Sequence, residues 1–226
     1  IRDRLNNLVK GWDAARHDWI ILADSNVLMP QDYVQRLHAR WGADTGLVCS
    51  VPIGSRPRNF WAELECAFLN TYEARWEYGA DTLGFGFAQG KSMLWRRDIV
   101  ERGGGIRALG AEIAEDAAAT KLVRAAGLKV QLVDSPFEQP LGRRTAREVW
   151  LRQVRWARLR RMTFPLMFLP ELVVGSTFPA LAAAFVAGQH GIGAVPAVAA
   201  LLALWFGTEL APVSYTHLRA HETGRN

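Results

Sequence analysis

Trp19-Ile20-Ile21-Leu22-Ala23-Asp24-Ser25-Asn26 is the stretch that decides the fold. Five uncharged residues run into a carboxylate. A short continuous apolar run suits a strand buried on both faces of a mostly parallel sheet, because a strand with one wet face alternates instead. An acid directly after such a strand lies at its carboxyl end, where open α/β sheets bind ligands. Upstream, Leu5, Leu8, Val9 and Trp12 fall at near-helical spacing, predicting a helix over Leu5 to Ala15. Downstream, Pro30-Gln31-Asp32-Tyr33 opens another helix, with Pro30 expected in its first turn. Gly46 to Val51 reads as a strand, Phe60 to Trp76 as a long amphipathic helix, and Gly84 to Gly90 as a flexible loop. Ser92 to Trp95 is a strand, Glu112 to Ala126 a helix stopped by Gly127, and Lys129 to Val133 a strand. Strands alternating with helices indicate an α/β sandwich.

The chain has 226 residues, a formal net charge of +5 and 50% hydrophobic residues. That composition excludes a disordered chain, a collagen and a disulfide-stapled miniprotein. Cys49 and Cys66 lack metal-ligand spacing and are expected as buried thiols rather than zinc ligands. The chain opens on Ile1 with no signal peptide and reads as part of a longer protein. Arg outnumbers Lys by 23 to 4, as in a GC-rich bacterial source.

The charge is unevenly placed. Residues 1–140 carry 17 basic and 18 acidic side chains, and residues 141–163 carry eight Arg and one Glu. From Leu172 to Thr208 there is no Asp, Glu, Lys or Arg. Leu172 to Gly188 and Ile192 to Thr208 are two apolar segments around Gln189-His190-Gly191, each with one Pro. A bilayer crossing takes roughly 20 helical residues, so the pair is expected as a membrane hairpin. The competing reading is a buried helical pair, but 37 successive residues without formal charge leave neither helix a water-facing side. Arginines beside an apolar tail favour a membrane over nucleic acid. Val213 to Asn226 follows no earlier pattern and is similar to translated sequencing-adapter tails, so His217 and His221 carry no functional weight.

Four groups of residues could carry chemistry. Asp24 and Asn26 could hold a hard divalent cation against a diphosphate, or could simply favour a strand-to-helix turn. Glu115-Asp116 opens a helix among small residues, where acids are also common for dipole reasons. Gln89-Gly90-Lys91-Ser92 follows a glycine-rich loop but is not a P-loop, since position 85 is Phe. Arg152-Gln153-Val154-Arg155-Trp156 puts two arginines on one helical face beside a Trp. Guanidinium groups there suit bidentate phosphate binding, and equally suit anionic lipid headgroups.

In this order the motifs resemble the processive-type family 2 glycosyltransferases, and most closely the ceramide glucosyltransferase family. The residues that carry the resemblance are Asn6-Asn7-Leu8, Asp24-Ser25, Gly84 to Ser92, Ala114-Glu115-Asp116 and Arg152 to Trp156, covering about residues 3–211. The resemblance implies an α/β fold of GT-A type, a nucleotide-sugar transferase sandwich incomplete at its N-terminus. An Arg-rich interfacial helix and a membrane helical hairpin follow it. In residues, 1–140 is a partial GT-A catalytic domain and 141–171 the interfacial segment. Residues 172–211 are the membrane helices, and 213–226 a non-native tail.

The implied activity is inverting transfer of a sugar, glucose from UDP-glucose, to a lipid hydroxyl such as ceramide. Transfer to another bacterial lipid of hopanoid type, or a catalytically silent lipid-binding module, are the alternatives. Asp116 is the implied general base. Glu115, Gln89, Gly90, Arg152, Arg155 and Trp156 are implied to bind substrate and diphosphate. Asp24 and Asn26 are implied to bind Mg²⁺ or Mn²⁺, although Asn26 stands in the third place of the usual D-x-D. The first Asp motif of the family has no counterpart here and is expected upstream of Ile1. The implied setting is a multi-pass membrane protein of the bacterial inner membrane, with its catalytic domain cytoplasmic. The implied partners are a lipid acceptor and a nucleotide sugar, with no nucleic acid and no protein partner.

Overall fold

The computed structural model describes residues 2–112, 114–168 and 177–204. In chain order its elements are α1 (Arg2–Ala14), β1 (Trp19–Ala23), α2 (Tyr33–Ala39), β2 (Thr45–Cys49), β3 (Ile53–Pro57) and α3 (Phe60–Ala67). A π-helical segment, Phe68–Glu73, leads to α4 (Ala74–Thr82), β4 (Ser92–Arg96), α5 (Arg97–Arg102) and a 3₁₀ segment, Ile106–Ala111. Then come α6 (Glu115–Ala125), β5 (Lys129–Leu132), β6 (Glu138–Gly142), α7 (Ala146–Thr163) and the helix Thr177–Gln189. Among the described residues two compact units form, one within 1–57 and 68–142, the other within 58–67 and 143–204.

The first unit is built on a four-stranded sheet of order β1-β4-β2-β5. Side chains alternate across it, as the strand period of two requires. Ile20, Leu47, Cys49, Met93, Trp95, Val130 and Leu132 pack with Val9 and Trp12 of α1 and Ala118, Ala119 and Val123 of α6. On the opposite face Val48 and Leu94 pack with Tyr33 and Leu37 of α2 and with Val133 and Phe137. Burying a side chain such as Leu47 contributes about 1.5–3 kcal/mol, so the two-sided core is the main stabilising element. The α/β sandwich is as expected from the alternation of elements.

The sheet is not mostly parallel. β4 runs antiparallel between β1 and β2, and only β2 and β5 are parallel. β1 is consequently an edge strand rather than an interior one. Nor is β1 buried on both faces as expected: Ile20 is buried, Ile21 and Leu22 are half-buried, and Trp19 and Ala23 are exposed, because cover and direction both depend on which segments return beside the strand. The α2 start also differs: Pro30 accepts a hydrogen bond from the Tyr33 N–H in the turn before the helix. α6 begins at Glu115, leaving Glu112 outside, and Gly127 stops it with a φ of 70°.

Two short strands escaped the sequence pattern. β3 and β6 form a separate parallel pair in which Ser55 faces Pro140. Their prolines and glycines disguise them, since proline cannot donate to a ladder. The single helix expected over Phe60 to Trp76 is instead α, then π, then α. The π segment turns Asn70 toward β3, where its side chain accepts from the Gly54 N–H at 2.7 Å and donates to the Gly54 carbonyl at 2.9 Å.

The second unit holds α3, α7 and the apolar helices. α7 starts with a capping box: the Thr145 hydroxyl accepts from the Glu148 N–H at 3.2 Å, and Glu148 accepts from the Thr145 N–H at 2.7 Å. Beyond it, Thr177–Gln189 and residues 194–204 are helical, joined by a turn in which the Ile192 N–H donates to the Ala187 carbonyl at 2.8 Å. Pro196 lies in the first turn of its helix, where a missing N–H breaks no bond. Among the described residues no helix is long and apolar enough to cross a membrane. The rest of the expected hairpin, 172–176 and 205–211, and the tail 213–226 lie outside the described residues.

Candidate functional site

Asp24 leaves β1 at its carboxyl end. The ladder pairs Ala23 with Ser92, and one step further the Asp24 N–H donates to the Lys91 carbonyl at 3.0 Å. Asp24 and Lys91 are thus cross-strand neighbours. The Lys91 ammonium donates to Asp24 Oδ2 at 2.8 Å and to Asn26 Oδ1 at 3.1 Å. Lys91 and Asp24 each keep 26% side-chain exposure, so the pair is screened and stabilises the fold by only about 0.2–1 kcal/mol.

The two residues expected to share a metal ion therefore share an ammonium. A hard divalent cation takes about six oxygen ligands, of which waters and substrate phosphates can supply several. Here one carboxylate and one amide oxygen converge, with a cation already between them. Among the described residues no group of three His, Cys, Asp or Glu is placed to hold a metal. As arranged here, with one ammonium on both oxygens, Asp24 and Asn26 fit Lys91 better than a divalent ion.

Asp116 approaches the same loop from α6. The Thr120 hydroxyl donates to the Asp116 carbonyl at 2.9 Å and accepts from the Ala88 N–H at 2.9 Å. Asp116 Oδ1 accepts from the Ala117 N–H at 2.8 Å. The glycine-rich loop is thus tied to α6 at Ala88 and to the Asp24 turn at Lys91. Only Gln89 and Gly90, both half-buried, lie between the ties. Three peptide steps span at most about 11 Å, so the tie to α6 and the tie to the Asp24 turn lie within that distance of each other along the loop.

Further contacts hold the loop. Arg124 donates to the carbonyls of Phe85 at 3.1 Å and Gly86 at 3.2 Å, and its guanidinium lies 4.6 Å from the Phe87 ring centre. A Cβ at Gly86 would collide with the Val130 carbonyl, so only glycine fits there. The Tyr33 hydroxyl donates to Ser92 Oγ at 2.9 Å behind Lys91.

Burial pushes the Cys49 thiol far above its usual range, and the charges of Glu77, Asp81 and Asp116 push it the same way. Burial also raises Asp81, against the pull of Arg40, whose guanidinium lies 3.4 Å from Asp81 Oδ2. Cys66 is pushed up to about 12 by burial and by the neighbouring Glu65. Both cysteines are buried thiols, as expected.

In the second unit Arg152 is not directed at solvent. Its Nε lies 3.1 Å from Oε1 of Glu65, a carboxylate with no exposed surface. Arg144 Nε donates to the other oxygen at 3.1 Å. The Arg152 guanidinium also lies 5.8 Å from the Trp156 ring centre. Burial lowers the Arg152 pKa, and Glu65 opposes that shift. Arg155 is exposed, and Trp156 is half-buried. Glu115, half-buried, opens α6 next to Asp116.

Sequence reasoning missed Thr120, Glu65 and Arg144 as parts of these arrangements, and named Lys91 only within Gln89 to Ser92, without a role of its own. Lys91 carried a faint signal, a Gly-Lys directly before a strand. Glu65 carried none, because an acid in an amphipathic helix reads as surface.

The sequence model of glycosyl transferase family 21 matches residues 2–223. Ceramide glucosyltransferase 1 of Caenorhabditis elegans is 24% identical over 170 residues, which cover 74% of this chain and 36% of that protein. The matched chain thus spans little more than a third of that relative's length.

Proposed function

The chain belongs to glycosyl transferase family 21, and on that premise we propose that the full-length protein moves a sugar from a nucleotide sugar to a lipid hydroxyl, with inversion. UDP-glucose is the proposed donor and ceramide the proposed acceptor. The supporting observation is the loop 84–92, tied at one end to α6 behind Asp116 and at the other to Asp24 through Lys91. Such a double tie supports the loop between the helix turn that carries Asp116 and the Lys91 cation.

In this reading the acceptor oxygen attacks the anomeric carbon. The new C–O bond forms as the bond to the diphosphate breaks, and the hydroxyl proton passes to the Asp116 carboxylate. A positioned carboxylate is needed because a lipid hydroxyl is a poor nucleophile. Gln89 and Gly90 offer backbone to the diphosphate. Glu115 orients its neighbour. Arg155 and Trp156 are the proposed diphosphate- and acceptor-binding residues of the second unit, with Arg152 held beside Glu65 and the Trp156 ring.

The lipid side of the reading rests on the apolar helices. Leu181 is 61% exposed, Phe185 69%, Val195 81% and Leu204 67%. Side chains of this kind in water mark an interaction surface, here a bilayer that the arginines of α7 would meet at its headgroups. Membrane insertion and a bacterial inner-membrane site belong to this proposal. The test is product analysis by mass spectrometry with the full-length protein, a panel of sugar nucleotides, and ceramide and hopanoid-type acceptors. A hexosylated lipid is expected. No glycosylated product from any pair would overturn the reading and leave a silent lipid-binding module.

A further inference from the structure

We propose that the Lys91 ammonium is the cation of this site, standing where a divalent ion would stand and neutralising the departing diphosphate itself. The proposal rests on the glycosyl-transfer reading for the identity of the leaving group. Charge balance is its first support. Asp24 brings one negative charge and Asn26 none, and the single positive charge of Lys91 matches that of the pair. Geometry is the second. Lys91 Nζ lies 2.8 Å from Asp24 Oδ2 and 3.1 Å from Asn26 Oδ1, both ordinary hydrogen-bond lengths. The third is rigidity. The Asp24 N–H bond to the Lys91 carbonyl extends the β1–β4 ladder, so the two side chains meet by strand register rather than by chance encounter.

Lys91 is also reachable. It keeps 26% exposure and follows Gly90, where no side chain stands between backbone and ligand. When a diphosphate arrives, the ammonium exchanges its Asn26 contact for a phosphate oxygen while Asp24 keeps it in place. As the bond from the anomeric carbon to the diphosphate oxygen breaks, its electron pair goes to that oxygen. Lys91 faces the negative charge left there, and the acceptor proton goes to the proposed base. No oxidant or further reactant enters the step.

The test uses the full-length protein with Lys91→Met and Lys91→Arg, in excess EDTA. Binding of UDP and of inorganic pyrophosphate is read by calorimetry, and turnover is read separately. The wild type should bind both ligands and turn over in EDTA. Lys91→Met should weaken both ligands at least about tenfold and lower turnover by about 10²–10³-fold, the scale of one lost charge-stabilising group. Lys91→Arg keeps the charge and should retain most of the binding, which also covers the case that the Met variant folds poorly. Mn²⁺ titrated into ligand-free wild type, followed by its electron paramagnetic resonance signal, should remain free. Wild type that binds neither ligand in EDTA, or a stoichiometric Mn²⁺ site lost in Asp24→Asn, overturns the proposal. So does a Lys91→Met protein that binds and turns over like the wild type. If Lys91 governs pyrophosphate binding but no lipid is ever glycosylated, the glycosyl-transfer reading fails and the Lys91 assignment stands.

Discussion

The Arg152 guanidinium lies 3.1 Å from Oε1 of Glu65, and Arg144 holds the other oxygen of the same fully buried carboxylate. One acid therefore pins the start of α7 and its middle to α3. An ion pair of this kind is costly to break, since removing one partner leaves uncompensated buried charge. Glu65→Gln should destabilise the protein by about 3–5 kcal/mol, read as a lower denaturant midpoint together with faster amide exchange along α7. An unchanged midpoint would mean that water already compensates the arginines.

The proposed base has a sharper signature. Asp116→Asn keeps shape but cannot accept a proton at neutral pH. kcat should fall by about 10²–10⁴-fold while donor affinity survives. Glu115→Gln should be much milder. If the effects are reversed, the base is Glu115.

The helix cap gives a stability prediction with a pH dependence. Thr145→Ala should cost about 1 kcal/mol. Hydrogen bonds from the Thr145 N–H and hydroxyl hold the Glu148 carboxyl below its usual 4.5. A depressed folded value means that the capping contribution is present above 4.5 and is lost as pH falls through the folded value. The mutational cost measured by urea denaturation should therefore shrink in acid. A cost that is constant with pH would place Glu148 outside the cap.

Asp81 has the opposite sign. Burial holds its proton above the usual 3.8, so the folded protein binds more protons than the unfolded chain just above that value. Its contribution is full below 3.8 and declines as pH rises through the folded value. Asp81→Asn removes that decline. The variant's stability relative to wild type should improve between about pH 4 and 7, measured as urea midpoints at matched ionic strength. A difference that does not change with pH would show that Arg40 already offsets the burial.

The apolar helices can be tested directly. Phe185→Arg with Val195→Arg should reduce binding of the full-length protein to anionic lipid vesicles, because each Arg costs about 2.5–3.5 kcal/mol at a membrane-helix centre. Equal flotation of variant and wild type would place these helices away from lipid.

Much of the first unit was legible in the chain. The run Trp19 to Ala23 is β1 to the residue, and Ser92, Lys129 and Glu115 each begin the element expected there or within a few residues. Apolar periodicity and helix stops are local signals, so they survive without knowledge of the fold. The amino-acid sequence also determined that Asp24 follows a strand, that Asp116 opens a small-residue helix, and that arginines precede an uncharged tail. It did not determine pairing. That β4 inserts antiparallel between β1 and β2, and so brings Lys91 onto Asp24 and Asn26, follows from non-local hydrogen bonds. The same holds for Arg152. Its spacing with Arg155 advertised a phosphate-binding pair, yet tertiary packing set one arginine against Glu65 and left the other exposed. Spacing determines which side chains share a face. What meets that face is decided only when segments distant in the chain are buried together and each buried charge must find its partner.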